Sequence, residues 1–175
     1  METIFFLGRF HPLLVHLPIG FLILAILIEI YCSIFKIRIN QSIINFTWFI
    51  AFFSSVLTTT LGLLIAETGH YIDENLFMHK VFGLSLTAVS FVSWFFRLSF
   101  FSNLFSSSLK TVLNISILFL LTLTGHYGGN LTHGETYLVD YAPENIKELV
   151  VKKNKYVELE IDSVEIYNDL IQPIF

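Results

Sequence analysis

The feature that most constrains this sequence is a set of four long apolar runs, at residues 12–35, 43–66, 77–96 and 111–124. A hydrocarbon core about 30 Å thick takes roughly 20 helical residues to cross, and the first three runs reach that length. The fourth run reaches it only when Leu109 and His126 or Tyr127 are included. The sequence therefore predicts an all-α membrane protein, a bundle of four transmembrane helices in a lipid bilayer.

The distribution of charge divides the chain into two predicted parts. Residues 1–133 carry six Lys/Arg and five Asp/Glu, whereas residues 134–175 carry four and nine. We therefore predict a transmembrane domain at 1–133 and a short extramembrane tail at 134–175, with a strand at 156–162 and helical turns at 143–153 and 165–170. A net charge of -4 without a basic cluster argues against nucleic acid as a partner.

The short loops predict the orientation of the bundle. Lys36 and Arg38 follow the first run, Arg97 and Lys110 lie between the third and fourth, and neither loop holds an acidic residue. The positive-inside rule places these two loops in the cytoplasm. Both termini then face the outer side of the membrane.

The histidines all fall at the predicted outer ends of the helices. They are His11, His16, His70, His79, His126 and His133. A bis-imidazole haem needs two neutral imidazoles on facing helices at equal depth, with small residues nearby. His16, His79 and His126 meet the depth condition best, so we expect them to supply the iron ligands of one or two b-type haems. We expect the other three histidines to lie closer to water.

A repeated tetrapeptide accompanies these histidines. Thr-Gly-His-Tyr occurs at residues 68–71 and again at 124–127, in both cases at the end of an apolar run. The second copy opens a glycine-rich stretch at 124–134, and glycine lets a bulky group come close to the backbone. The repetition predicts a cofactor pocket built from two similar halves.

Two other readings of the ionisable residues stay open. Glu67, Asp73 and Glu74 lie among the histidines, and a mixed carboxylate and imidazole site would suit zinc or copper instead of haem. Interfacial histidines also reach toward lipid head groups without binding any metal. Glu29 lies within the first run and is a functional candidate by its position, but we expect it to be wetted at the cytoplasmic interface.

Three motifs carry a resemblance to a known family. They are GRFHPLLVHLPIG at 8–20, HKVFG at 79–83 and GHYGGNLTHGETYL at 125–138. Together they resemble bacterial multipass membrane domains of unknown function, many of which precede a periplasmic c-type cytochrome domain. The segment at 166–175, IYNDLIQPIF, is similar to the one that precedes C-x-x-C-H in such cytochromes. The resemblance implies the bacterial inner membrane, periplasmic termini and a cytochrome c partner, separate or fused.

These observations predict an electron-transfer subunit of a larger membrane complex. It would hold b-type haem near the periplasmic face and pass electrons from a quinol to a c-type cytochrome. The alternative is a structural or anchoring subunit whose histidines serve a non-haem metal or contacts with a partner. A quinol-oxidising enzyme with Glu67 as proton acceptor is the third reading.

Overall fold

The fold is a bundle of transmembrane helices, seen in a computed structural model that describes residues 2–67, 73–98, 100, 106–134 and 136–148. The helices are α1 (Glu2–Gly8), α2 (His11–Leu14), α3 (His16–Phe35), α4 (Gln41–Ala66), α5 (Asp73–Phe95) and α6 (Ser107–His133). Four spans are long and apolar enough to cross a membrane, namely Phe5–Phe35, Gln41–Ala66, Glu74–Phe95 and Ser107–His133. The predicted all-α fold with four transmembrane helices is confirmed.

The first span is broken at Val15, and a proline explains the break. Helix α2 begins at His11 with Pro12 in its first turn, where the missing N–H of proline costs no helical hydrogen bond. Pro18 has no N–H to donate to the carbonyl of Leu14, four residues earlier. The Thr58 hydroxyl on α4 donates to that carbonyl instead, at 3.2 Å. This substitute hydrogen bond lets the chain bend at Val15 without leaving a polar group unsatisfied.

The fourth span is longer than the sequence predicts, because α6 continues through the glycine-rich stretch to His133. The Thr132 hydroxyl donates to the carbonyls of Gly128 and Gly129, each at 3.1 Å, within the last turns of this helix. The helix ends before Gly134, whose φ of 88° is favourable only for glycine. The sequence predicts a span that ends at His126 or Tyr127, and the helix continues about two turns beyond that point.

Helix α4 is the central packing element, because it contacts α1, α2, α3 and α5. Gly8 permits a close approach of α1, since a Cβ atom there would lie 2.7 Å from the backbone nitrogen of Ile65. Buried residues from all four spans form one core: Leu22, Ala25, Ile26, Trp48, Ala51, Leu86 and Ile117. The many exposed phenylalanines and leucines outside this core are the surface expected to face lipid.

The two helical hairpins, α2–α4 and α5–α6, repeat one another. His11 and His79 are 68 residues apart, and so are Glu29 and Arg97. Thr58 and Gly62 lie 66 residues before Thr124 and Gly128. Fully buried residues correspond at the same two spacings, since Leu22 lies 68 residues before Ser90 and Ala51 lies 66 residues before Ile117. Since His11 contacts His79 and Glu29 contacts Arg97, an approximate two-fold axis passes through both contacts.

The chain divides into two compact units, Met1–Thr132 and His133–Phe175. In the second unit, residues 144–148 are helical, within the predicted helical turn at 143–153. The predicted strand at 156–162 and the predicted turn at 165–170 lie outside the described residues.

Candidate functional site

The candidate site is a pair of imidazoles at the two-fold axis. The ring centroids of His11 and His79 are 6.1 Å apart, and the two ring planes are nearly perpendicular, at 84°. His11 lies at the start of α2 and His79 near the start of α5, so each hairpin contributes one ring. Both rings are half-buried.

Each imidazole is fixed by a hydrogen bond to a helix backbone. His11 Nδ1 lies 2.9 Å from the carbonyl oxygen of Thr58, and His79 Nδ1 lies 3.0 Å from that of Thr124. A carbonyl oxygen only accepts, so Nδ1 carries the proton in both rings. In neutral imidazole the other nitrogen, Nε2, is then unprotonated, as a metal ligand must be.

A glycine lies beneath each ring, one helical turn beyond the accepting carbonyl. Gly62 follows Thr58 by four residues and Gly128 follows Thr124 by four, so each glycine shares a helix face with its carbonyl. A Cβ atom at Gly62 would lie 2.8 Å from His11 Cε1, and one at Gly128 would lie 2.9 Å from His79 Cε1. The imidazole of His11 therefore packs directly on the backbone of α4, and that of His79 on the backbone of α6.

The other histidines occupy different surroundings. His16 begins α3 and is exposed, with Nδ1 3.2 Å from the carbonyl oxygen of Leu13. His126 is exposed and contacts its neighbour Tyr127 edge to face, with centroids 5.3 Å apart. His133 is exposed and stacks on Tyr137 with centroids 4.4 Å apart. His70 lies outside the described residues. Of the six predicted ligands, the structure brings His11 and His79 together.

The number of ligands distinguishes between the metals considered. Among the described residues, no three or more His, Cys, Asp or Glu side chains gather into a group suited to a metal ion. Zinc sites use three or four protein ligands, whereas the porphyrin supplies the equatorial ligands of haem iron and the protein adds only axial ones. Two imidazoles are the number of protein ligands in a bis-imidazole haem site.

The spacing of the two rings is also compatible with one metal between them. For a metal–nitrogen distance of about 2.0–2.1 Å and an imidazole radius of about 1.1 Å, rings on opposite sides of an ion have centroids about 6.3 Å apart. The observed separation is 6.1 Å. An edge-to-face pair of aromatic rings in direct contact falls in the same range, so the distance permits both arrangements.

A second polar cluster joins the hairpins at the opposite end of the bundle. The Glu29 carboxylate accepts hydrogen bonds from Arg97 Nε and Nη2, from Asn114 Nδ2 at 2.8 Å and from Trp48 Nε1 at 3.1 Å. Arg97 also donates to Asn114 Oδ1 and to the carbonyl of Ser93, and its guanidinium carbon lies 3.9 Å from the centroid of the Trp48 ring. The side chain of Arg97 is 1% exposed and that of Glu29 is 17% exposed.

Sequence reasoning missed this ion-pair cluster. Glu29 was expected to be wetted at the cytoplasmic interface, and its side chain is 17% exposed, but its carboxylate is also paired with Arg97, which is buried and is not a free loop cation. The sequence does contain an indication of this pair, because Glu29 lies within the first apolar run and Arg97 directly follows the third. Opposite charges at the edges of two membrane spans are candidates for pairing with each other. Their pairing required the packing of the helices to be known.

Comparison with known proteins gives one match. The family model described as "Predicted membrane protein (DUF2231)", a domain of unknown function, matches residues 9–139. No curated protein and no solved structure matches the chain.

Proposed function

The chain belongs to the family described as Predicted membrane protein (DUF2231), and we propose that it is a membrane electron-transfer subunit whose His11 and His79 hold one b-type haem. The observation that carries the proposal is the imidazole pair at the two-fold axis. When bound, the haem supplies one-electron chemistry at its iron.

The residues around the pair support this role. The backbone carbonyls of Thr58 and Thr124 each accept a hydrogen bond from the protonated Nδ1 of one imidazole. This hydrogen bond sets the tautomer and the direction of the ring. Nε2 of each ring has no partner among the described residues. Two equivalent imidazoles, one from each repeated hairpin, would hold a group that takes two protein ligands.

We propose that the site lies near the periplasmic face of a bacterial inner membrane. The helix ends far from the imidazoles carry the cations Lys36 and Arg38, just after α3, and Lys110, in the first turn of α6. The positive-inside rule assigns that side to the cytoplasm. About 20 Å of helix separates His16 from Glu29 on α3, and that length contains no histidine. Electron transfer along the outer side, from a quinol to a periplasmic c-type cytochrome, therefore suits one site better than transfer across the bilayer.

The test is an absorption spectrum of the purified full chain, expressed with haem supply and reduced with dithionite. We expect Soret and α bands of b-type haem, and we expect both to be lost in His11→Ala and in His79→Ala. The matched controls are His16→Ala and His126→Ala, which remove exposed imidazoles. Absence of haem from the unmodified protein ends the proposal. Loss of haem only in the two control variants would show that His16 and His126, and not His11 and His79, bind the haem.

A second candidate is a structural subunit, favoured by the interhelical hydrogen bonds that the same two histidines make. His11 joins α2 to α4 and His79 joins α5 to α6. In that case the imidazoles hold helices together, as polar side chains do in membranes. Metal analysis separates the candidates, since a structural role predicts protein without stoichiometric iron and with unchanged assembly after haem depletion.

A further inference from the structure

Two glycines meet the imidazole pair in the same way. Around a Cβ atom built at Gly62, the His11 atoms Cε1, Nδ1 and Nε2 lie at 2.8, 2.9 and 3.5 Å. Around one built at Gly128, the same atoms of His79 lie at 2.9, 3.2 and 3.8 Å. The order of the three atoms is identical, and Nε2 is the farthest in both. Both rings are therefore seated on their glycines in one orientation.

A methyl group at either position is incompatible with this seating. Contacts shorter than 3.0 Å are essentially never seen around real Cβ atoms, so an alanine there would force the ring away from the helix. The hydrogen bonds from Nδ1 to the carbonyls of Thr58 and Thr124, at 2.9 and 3.0 Å, already have the usual length. Displacing the ring lengthens this bond, which fixes both tautomer and ring direction.

Simple helix packing does not account for these two glycines. Gly8 is a packing glycine, since its missing side chain makes room for the backbone of Ile65. At Gly62 and Gly128 the atoms that a side chain would meet belong to an imidazole. Gly20, Gly125 and Gly129 have nothing within 4 Å of a built Cβ atom, so a glycine is not required there for space.

We infer that Gly62 and Gly128 are positioning residues that hold His11 and His79 in the orientation for binding a metal through Nε2. The inference rests on the proposed function for the identity of the bound group, but the seating of the rings stands on its own geometry. The two-fold repeat makes the glycines equivalent, so changing either should act in the same way.

The experiment compares Gly62→Ala and Gly128→Ala with Gly20→Ala in the full chain, because Gly20 also has open space around a Cβ atom and lies outside the glycine-rich stretch at 124–134. Haem affinity, the reduced-minus-oxidised spectrum and the midpoint potential are measured, with circular dichroism and gel filtration as checks on folding. We expect Gly62→Ala and Gly128→Ala each to lower haem affinity by about 10–100-fold and to shift the potential, as loss of an oriented ligand does. The control substitution Gly20→Ala should leave both quantities unchanged.

Two further measurements keep this inference separate from the proposed function. Spectra of ¹⁵N-labelled histidine should show Nδ1-protonated rings in the haem-free protein and altered signals for one ring in each glycine variant. In the His11→Ala background, Gly62→Ala should no longer change the unfolding midpoint, since the ring that it displaces is gone.

The possible results distinguish the role of the two glycines from the proposed function. Haem-binding protein with unchanged affinity and potential in both glycine variants overturns the inference and leaves the proposed function standing. Protein without haem, but with the expected nitrogen spectra, overturns the function and keeps the seating of the rings. A glycine effect that persists without the histidine ring shows that the glycine acts through packing, which also overturns the inference.

Discussion

At both ends of the bundle, residues that correspond in the two hairpins meet at the two-fold axis, but one pair carries opposite charges and the other consists of two identical imidazoles. At the ion-pair end, Glu29 meets its own repeat partner Arg97; at the histidine end, His11 meets its repeat partner His79. Ten residues separate Trp48 from Thr58 on α4 and Asn114 from Thr124 on α6, so the ends lie about 15 Å apart along these helices.

The difference between the ends lies in how completely the two central side chains of each end, Glu29 with Arg97 and His11 with His79, are hydrogen-bonded. Each oxygen of the Glu29 carboxylate accepts two hydrogen bonds, and every guanidinium nitrogen of Arg97 donates at least one. At the histidine end each ring uses Nδ1 only, and Nε2 has no partner among the described residues. Polar groups in a membrane interior are costly unless they are paired or functional. We interpret the ion-pair end as stabilising and the histidine end as reserved for a ligand.

The largest expected effect comes from removing one charge at the ion-pair end. Glu29→Gln leaves the Arg97 guanidinium buried without a counter-charge, and breaking a buried pair in this way costs about 3–5 kcal/mol. The measurement is unfolding by sodium dodecyl sulfate in mixed micelles, followed by circular dichroism. Fluorescence in a Trp94→Phe background reports on Trp48, which lies against the guanidinium.

A double-mutant cycle and an exposed control complete this test. The double variant Glu29→Gln with Arg97→Gln should cost less stability than the sum of the two single changes, because it leaves no buried charge without a partner. Glu144→Gln removes the exposed partner of Lys147 and should have no measurable effect. If Glu29→Gln and Glu144→Gln behaved alike, the ion-pair end would not stabilise the bundle.

The sequence was sufficient to predict the helices because hydropathy is a local property. Four apolar runs correctly predicted four spans. The end of α6 was missed because glycines usually stop or weaken helices, whereas here the helix continues as far as Gly134. Helix ends depend on hydrogen bonds such as those of Thr132, which local composition does not reveal.

The site was only partly predictable, because pairing depends on how the helices face one another. Reasoning from depth along each helix placed His11 nearer to water than His16, but α2 is a separate short helix that turns His11 toward His79. The repeated tetrapeptide suggested two similar halves, yet its copies are 56 residues apart, whereas the structural repeat has registers of 66 and 68. Glu29 and Arg97 occupy equivalent positions with opposite charges, so no sequence identity marks them.

At the histidine end, removal of a ring should cost much less stability than loss of Glu29. His79→Ala deletes one hydrogen bond and the packing of a half-buried ring, for which we expect about 1–2 kcal/mol in haem-free protein. The same unfolding titration measures it, with His126→Ala as the exposed control. A cost equal to that of Glu29→Gln would remove the distinction between the two ends and favour a structural role for the histidines.

The smallest expected effect distinguishes two equivalent threonines within the histidine end. The hydroxyl of Thr58 donates to the Leu14 carbonyl that Pro18 leaves free. The residue that corresponds to Pro18 in the second hairpin is Leu86, which lies inside α5 and keeps its N–H. The carbonyl that corresponds to that of Leu14 is therefore used within the helix. This explains why the Thr124 hydroxyl is buried without a hydrogen-bond partner among the described residues.

The two threonines should therefore respond differently to the same substitution. Valine keeps the shape and the carbonyl that binds the imidazole, so only the hydroxyl is tested. Thr58→Val should destabilise the bundle by about 0.5–1 kcal/mol, the usual worth of a hydrogen bond between membrane helices. Thr124→Val removes an unpaired buried hydroxyl and should leave stability unchanged or raise it. Equal losses at both positions would contradict this account, since they would mean that the Thr124 hydroxyl is bonded and that the proline does not break the symmetry of the repeat.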